Sequence, residues 1–351
     1  MRLDSIQALR AVAATLVVIF HAATNVWPGP SEASFGWLSS GVDVFFVISG
    51  IVMWVSTDGR DIGPLDFYRH RIRRIVPLYW LMTTLVLAIG LLTPFLMRST
   101  RLEAPHVLAS YFFIPWPSPA DGAGGEAWPL LVVGWSLNQE MFFYAVFGLL
   151  LAVPTGLRIW LAPTLFGAIA VFGELVHPTS PMLHFWASYR MAEFAVGMLI
   201  GVALTRTRGW LPLAPSLLAL AVGAALLPVS SLTYTGDAAA NATLLVGATL
   251  LAVGAVGVER AGALPSPRWI GALGDSSYSL YLVHPLLISA LTSIAERAGL
   301  GIRGAAGPVF VVAMTVTASV AGLAVHRWIE RPLTRWVTPH RGVRPVPVGP
   351  A

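Results

Sequence analysis

The sequence contains no cysteine in its 351 residues, and all 22 of its basic residues are arginine. The lack of cysteine excludes disulfides, thiolate nucleophiles and cysteine-ligated metals. Charged residues make up only 11% of the chain, less than half of the ~25% that soluble domains carry. HExxH, CxxC and glycine-rich phosphate-loop motifs are also missing, so no metal site is predicted. With a mean hydropathy of +0.72, the sequence indicates a membrane protein.

The apolar segments are continuous rather than alternating, which favours helices over a β-barrel. We therefore predict an all-α integral membrane protein with about ten transmembrane helices. Residues 1–335 form one membrane domain, and residues 336–351 form a short cytoplasmic tail that is predicted to be disordered. The predicted spans lie near residues 6–26, 36–56, 74–93, 131–153, 159–176, 190–205, 212–229, 239–258, 278–296 and 305–328.

The arginines indicate the orientation of these spans. A cytoplasmic N-terminus places most loop arginines inside, and the positive-inside rule then predicts that both termini are cytoplasmic. The inside set is Arg60, Arg69, Arg71, Arg73, Arg74, Arg158, Arg206, Arg208, Arg260, Arg268, Arg331 and Arg335, against Arg98, Arg101, Arg297 and Arg303 outside. The longest loop, residues 94–130, then faces outward, where it is either an acceptor site or a linker. Residues 107–114 are too short to span and are predicted to be interfacial or re-entrant.

Two ionisable residues lie within the first predicted span. Arg10 and His21 are eleven residues apart, which is three helical turns plus about 20°, so they share one helix face about 16 Å apart. Ionisable residues within a membrane helix are costly and usually functional. The pair predicts a polar channel that runs from one membrane face inward.

Two carboxylates are predicted in the outer halves of later spans, at a depth similar to that of His21. Asp43 lies in GVDVFFVISG and Glu140 in GWSLNQEMFFYAVFG. A carboxylate beside His21 would orient its ring and raise its basicity; the alternative is a buried structural network. Trp135, Asn138 and Tyr144 are candidates to line the same cavity and to bind substrate; for Trp135 and Tyr144, the alternative is an aromatic belt at the membrane interface.

A basic cluster follows the second span, in the segment DFYRHRIRRIVPLYW (66–80). Its arginines suit either an anchor on anionic lipid or a site for a phosphorylated cofactor, because guanidinium forks bind phosphate. Pro77 and Tyr79 follow within the next span, which favours the cofactor site. The predicted cofactor-binding residues are Arg69, Arg71, Arg73, Arg74 and Tyr79.

The ninth span begins with SYSLYLVHPLL (277–287), in which Tyr278, Tyr281 and His284 recur at helical spacing. Tyr281 and His284 are further candidates for substrate binding. The alternative for His284 is a hydrogen bond to a backbone carbonyl left free by Pro285, because proline cannot donate within the helix.

Taken together, these segments resemble the acyltransferase-3 family of integral membrane acyltransferases, and within it the exopolysaccharide-production acetyltransferases. The resemblance runs from about residue 4 to residue 335. It implies an enzyme of the bacterial cytoplasmic membrane that moves an acyl group from cytoplasmic acyl-CoA to a glycan hydroxyl at the outer face. Arg10 and His21 would then be essential, and the arginines at 69–74 would meet the CoA phosphates. Acyl-CoA, with acetyl-CoA as the default, is a co-substrate, and no tightly bound cofactor or nucleic acid is implied.

Several alternatives remain open at this level. The acceptor is a glycan, or else a small secondary metabolite or a lipid. Transfer is direct, or it passes through an acyl-histidine intermediate. A proton-coupled transporter would also contain intramembrane histidine and carboxylates, but it would not need the arginine cluster.

Overall fold

A computed structural model describes residues 3–29, 32–93, 102–119, 126–207, 209–230, 238–265 and 267–337. Within these ranges the chain forms helices and no strand, as predicted. The helices are α1 (Asp4–Val26), α2 (Glu32–Phe35), α3 (Gly41–Thr57), α4 (Pro64–Leu92), α5 (Ala104–Tyr111), α6 (Trp135–Leu150), α7 (Thr155–Val176), α8 (Pro181–Trp186), α9 (Arg190–Arg206), α10 (Leu213–Val229), α11 (Ala238–Arg260), α12 (Arg268–Arg297), α13 (Gly307–Val325) and α14 (Arg331–Val337). Outside the described residues lie Arg98, Arg101, Arg208 and nearly all of the predicted tail.

Each of the ten predicted spans coincides with a helix. Eight helical segments of the described chain are long and apolar enough to cross a membrane: Asp4–Val26, Gly36–Thr57, Pro64–Leu92, Thr155–Val176, Pro181–Arg206, Ala238–Arg260, Arg268–Arg297 and Gly307–Trp336. The other two predicted spans correspond to shorter helices, α6 with 16 residues and α10 with 17. The chain is therefore a multi-pass, all-helical membrane protein.

Two helices begin ten residues before their predicted spans. The basic cluster, predicted to lie in a connection, forms the first turns of α4, which starts at Pro64. Proline suits the first helical position, and Asp66 in the first turn complements the positive end of the helix dipole. Likewise, α12 starts at Arg268 and includes the polar stretch before residue 278. The sequence predictions began each span at the residue where the polar stretch ends. A helix, however, continues through polar residues once its backbone hydrogen bonds are formed.

The start of α1 is held by a carboxylate from α11. Glu259 accepts hydrogen bonds from the backbone N–H of Asp4 (2.9 Å) and of Ser5 (3.0 Å), and also from the Ser5 hydroxyl. These are N–H groups at a helix start, where the helix itself provides no acceptor. We call this end of the bundle the N-terminal face.

At the same face, partial burial and hydrogen bonds from Arg206 affect the pKa of Asp58. Partial burial raises this pKa, but the hydrogen bonds outweigh the effect of burial and lower the pKa below its ordinary value.

Glycines, among them Gly41 and Gly50, allow α3 to pack directly on its neighbours. A Cβ atom on Gly50 would lie 2.3 Å from the carbonyl oxygen of Phe194, and one on Gly197 would lie 2.2 Å from that of Val47. A Cβ on Gly41 would similarly meet the carbonyl oxygen of Ala13 at 2.3 Å. The close approach of α3 to α1 and α9 therefore depends on small residues, as is common between membrane helices.

Gly50→Ala is expected to destabilise the bundle by about 1–3 kcal/mol, because the added methyl group forces α3 away from α9. The measurement is the midpoint of thermal unfolding in detergent. Gly167→Ala is the matched control, since a Cβ there would meet no atom within 4 Å and alanine favours a helix by up to about 1 kcal/mol over glycine. Equal midpoints for the two variants would contradict the close packing of α3 on α9.

Part of the long loop is fastened to α4 through Tyr79. The Tyr79 hydroxyl donates to the carbonyl oxygen of Ser110 (2.9 Å), and its ring stacks on Phe113 with centroids 4.5 Å apart. The predicted interfacial segment is the short helix α5, and the Ser110 hydroxyl accepts the backbone N–H of Leu130 (2.8 Å). Tyr79 was predicted to bind cofactor, and the contacts that its side chain makes here anchor this loop. Residues 94–101 and 120–125 of the loop are outside the described chain.

Candidate active site

A cavity of about 110 Å³ lies between α1, α3, α4, α6 and α12. Its polar lining consists of Arg10, Ser49, Arg71, Arg74, Ser136, Glu140, Tyr144, Ser277, Tyr278 and Tyr281, and the rest is apolar. Five helices therefore contribute to one polar interior space. Three guanidinium groups and one carboxylate line it, so the cavity has an excess of positive charge that suits an anionic ligand.

Helical geometry divides the basic cluster into two pairs. Arg71 and Arg74 both line the cavity, because residues three apart lie on the same face of a helix. Arg69 and Arg73 are absent from the lining, and Arg69 instead faces Asp66 at the surface, with 3.6 Å between guanidinium and carboxylate. Of the four arginines predicted to bind a cofactor, the structure brings Arg71 and Arg74 to the cavity.

Arg71 is buried without a carboxylate partner among the described residues. Only 7% of its surface is exposed, its one hydrogen bond is a long one to the Ser56 hydroxyl (3.4 Å), and its Nε has no partner in the described chain. The rings of Phe67 and Tyr144 lie 5.4 Å and 5.6 Å from its guanidinium carbon. A buried guanidinium needs hydrogen-bond acceptors to offset its lost hydration. The surroundings of Arg71 therefore favour an incoming anion.

Glu140 is held in place by neighbouring hydroxyl groups. The Ser49 hydroxyl donates to its Oε1 (3.0 Å), and the Tyr144 hydroxyl makes a short hydrogen bond to the same oxygen. Glu140 lies within electrostatic reach of Arg10 and Arg71. The carboxylate therefore belongs to the arginine-lined cavity, where it orients polar groups.

His21 pairs with His284, which corrects the prediction that Asp43 or Glu140 orients its ring. Nδ1 of His21 lies 2.9 Å from the carbonyl oxygen of Val17 and 3.3 Å from Nε2 of His284. His21 is not in the lining of the arginine cavity, but Tyr281 is, and the Tyr281 ring lies 5.8 Å from that of His284. The prediction failed because the rotation of each helix about its axis decides which side chains meet.

Asp43 belongs to a second polar cluster, between α3, α6 and α9. Its Oδ1 accepts from the Tyr189 hydroxyl (2.8 Å) and lies 3.8 Å from Nε of Arg190. The Arg190 guanidinium lies 4.6 Å from the ring centroids of both Trp135 and Tyr189. Glu193, which has no exposed surface, is within electrostatic reach of Asp43. Sequence reasoning missed Tyr189 and Arg190, although a carboxylate within a membrane helix requires such a partner.

Tyr281 and Asn138, which were also predicted to bind substrate, lie in two different environments. The Tyr281 hydroxyl pairs with the Ser136 hydroxyl (2.8 Å) and donates to the carbonyl oxygen of Val133 (3.0 Å), which ties α12 to the start of α6. Asn138 is buried, and neither atom of its amide group has a partner in the described chain. One α12 tyrosine that was not among the predicted site residues, Tyr278, lines the cavity and donates to the carbonyl oxygen of Ile75 (2.7 Å).

Comparisons with known proteins agree with this architecture. Residues 3–326 match the model of the family described as an acyltransferase domain. The chain is similar to the exopolysaccharide production protein ExoZ of Rhizobium meliloti (strain 1021), with 38% identity over 320 residues that cover 91% of this chain and 95% of that protein. It is also 30% identical over 307 residues to the putative membrane-bound transacylase BcsY of Komagataeibacter xylinus, covering 81% and 72% of the two chains. No solved structure matches the chain. The chain therefore belongs to the acyltransferase-3 family of membrane acyltransferases.

Proposed function

We propose that this protein is an O-acyltransferase, and by default an O-acetyltransferase, that moves an acyl group from cytoplasmic acyl-CoA to a hydroxyl of an envelope glycan or exopolysaccharide at the outer face. The observation that carries the proposal is the cavity with three arginines, in which the buried Arg71 makes no salt bridge with a described carboxylate and its Nε has no hydrogen-bond partner in the described chain. Coenzyme A is an anion with several phosphates and a long uncharged arm, which suits a basic entrance to an interior cavity.

The N-terminal face is proposed to be cytoplasmic, in the cytoplasmic membrane of a bacterium. Arginines near this face include Arg60, Arg69, Arg73, Arg158 and Arg206, and loops rich in arginine remain in the cytoplasm. On this orientation, Arg71 and Arg74 in the first three turns of α4 meet a donor that arrives from the cytoplasm. The pantetheine arm then passes Arg10 and brings the thioester toward His21, about 16 Å further along α1.

His21 is proposed to act as general base. Its free ring nitrogen takes the proton of the acceptor hydroxyl while the hydroxyl oxygen attacks the thioester carbonyl. Collapse of the tetrahedral intermediate breaks the carbon–sulfur bond, and the departing sulfur receives the proton from His21. The products are an ester and CoA with a free thiol, so no proton is gained or lost overall. A dry site would also limit hydrolysis of the thioester.

The proposed acceptor rests on the relatives. One similar protein is named for exopolysaccharide production and another as a transacylase. Polysaccharide hydroxyls on the outer side would approach from the end of the bundle where α1 ends. The described part of the long loop contacts the second half of α4, through Tyr79 and Trp80.

Donor and acceptor are therefore expected to react from opposite sides of the membrane. The experiment uses protein reconstituted in sealed vesicles of known orientation, with acetyl-CoA and a water-soluble oligosaccharide each supplied on one side. Acetyl transfer is expected when acetyl-CoA is on the side of the N-terminal face and the oligosaccharide is on the other. Protein-free vesicles control for leakage. Transfer that occurs only with both substrates on the side of the N-terminal face would contradict the transmembrane route.

A further inference from the structure

We propose that His284 is a positioning residue that holds the proton of neutral His21 on Nδ1, so that the lone pair of His21 is on Nε2 and faces the reaction. This inference rests on the proposed function, in which His21 is the base. It replaces the carboxylate that usually orients a catalytic imidazole with a second, neutral imidazole.

The two rings are brought to the same depth by different helices. His21 is 17 residues from the start of α1 and His284 is 16 residues from the start of α12, which places each about 25 Å from the N-terminal face. The rings meet edge to face, with centroids 4.9 Å apart and planes inclined by 66°. Nε2 of His284 lies 3.3 Å from Nδ1 of His21.

The hydrogen-bond partners of the two rings indicate which nitrogen carries each proton. Nδ1 of His284 lies 3.1 Å from the carbonyl oxygen of Leu280. A carbonyl only accepts, so Nδ1 of His284 is the donor, and in the neutral ring Nε2 is the acceptor. Nδ1 of His21 lies 2.9 Å from the carbonyl oxygen of Val17, so it too is a donor, and its proton is shared between that oxygen and Nε2 of His284. Both assignments agree, and they leave Nε2 of His21 as the basic nitrogen.

The surroundings of the pair keep His284 in this role. Its ring has no exposed surface, so a positive charge on it would be costly. The titratable side chain beside it is Tyr281, whose hydroxyl is already bonded to Ser136 and Val133. On α1, the nearest charged residue on the same face is Arg10, about 16 Å away. The carboxylates Asp43 and Glu140 are bonded elsewhere.

A neutral partner also suits the second half of the reaction. When His21 takes a proton on Nε2, its Nδ1–H still donates to His284 and to Val17, so the imidazolium keeps its orientation. A neutral imidazole stabilises this charge less than a carboxylate would. The proton is consequently released more readily to the departing sulfur.

Two amide substitutions separate the hydrogen bond from the bulk of the ring. His284→Gln reaches the position of Nε2 and retains an acceptor for His21, whereas His284→Asn reaches only the position of Nδ1 and retains the contact with Leu280. We expect kcat to fall about 10- to 100-fold in His284→Asn, as for other residues that orient a functional imidazole, and to recover in large part in His284→Gln. The KM for acetyl-CoA should stay within about twofold in both. Equal kcat values for the two variants would overturn the proposal.

A second experiment reads the tautomer of His21 directly, without relying on turnover. Nitrogen-15 NMR of protein labelled in its histidine rings, with the His21 signals assigned by their loss in His21→Ala, reports which ring nitrogen of His21 carries the proton. We expect Nδ1–H in the wild-type protein, and the other tautomer or a mixture in His284→Asn. Nδ1–H that is lost in His284→Asn, in a protein that consumes no acyl-CoA, would contradict the proposed function but support the histidine pair. Nε2–H in an active protein, or Nδ1–H that persists in His284→Asn, would overturn the role of His284 and leave the acyltransferase intact.

Discussion

His21→Ala is expected to abolish acyl transfer while the helix bundle stays folded. Loss of a general base lowers the rate by about 10²- to 10⁴-fold. The alanine removes the contacts of the His21 ring with Val17 and His284 and leaves Nε2 of the buried His284 without that partner, which costs about 1–3 kcal/mol. The measurement is the rate of thioester consumption with acetyl-CoA and oligosaccharide, taken together with the midpoint of thermal unfolding in detergent.

His184→Ala is the control for this variant. His184 is an exposed residue of α8, so its removal should change neither turnover nor unfolding. A His21→Ala protein with near-normal turnover would show that the His21–His284 contact only packs α1 against α12. Loss of turnover in the His184→Ala protein as well would indicate that the assay reports general damage and not chemistry.

Replacing Arg71 and Arg74 by glutamine is expected to weaken the binding of CoA by at least about tenfold. Each arginine lines the cavity, and a hydrogen bond to a charged group contributes about 1.5–3 kcal/mol. The measurement is titration calorimetry of detergent-solubilised protein with CoA and with dephospho-CoA. Comparison of the two ligands shows whether these arginines bind the 3′-phosphate or the pyrophosphate.

The same helix provides a matched control, the double variant Arg69→Gln/Arg73→Gln. It removes the same charge from the same segment, so its effect on membrane insertion should be equal. Arg69 and Arg73 are absent from the cavity lining, and the control should therefore retain its affinity for CoA within about twofold. Equal losses in both double variants would mean that the cluster acts through its total charge, as an anchor on anionic lipid does.

The helical type and the approximate positions of the spans could be predicted from the sequence, because a long apolar run has few alternatives in a membrane. Their number was predicted as about ten, whereas eight segments of the described chain are long and apolar enough to cross a membrane. The close packing at Gly41 and Gly50 was also predictable, since it depends on residue size alone. The starts of α4 and α12 were not, because their first turns are polar and resemble loops in composition. A change in residue polarity shows where a helix leaves the apolar layer of the membrane. The first hydrogen-bonded turn of the helix lies at a different residue.

The pairing of side chains was the part that sequence reasoning could not supply. The helical spacing of Arg10 and His21 holds for any isolated helix. However, the partner of His21 is 263 residues away, and the partner of Asp43 is 146 residues away. Each pairing depends on the order of the helices in the bundle and on the rotation of each helix about its axis. The sequence therefore indicated which polar residues need partners, and the structure shows which ones they have.

The carboxylate at the start of α1 has a mechanical consequence. Glu259 fixes the first turn of α1 against the end of α11, and an α-helix changes length very little along its axis because every turn is hydrogen-bonded to the next. A slip of one residue would displace the helix by about 1.5 Å and turn it by about 100°, which would move Arg10 away from the cavity and His21 away from His284 together. Glu259 therefore fixes the depth of both Arg10 and His21 within the bundle. If the cavity of about 110 Å³ widens when the proposed thioester arm enters, we expect the movement in the other helices that line it and not in α1.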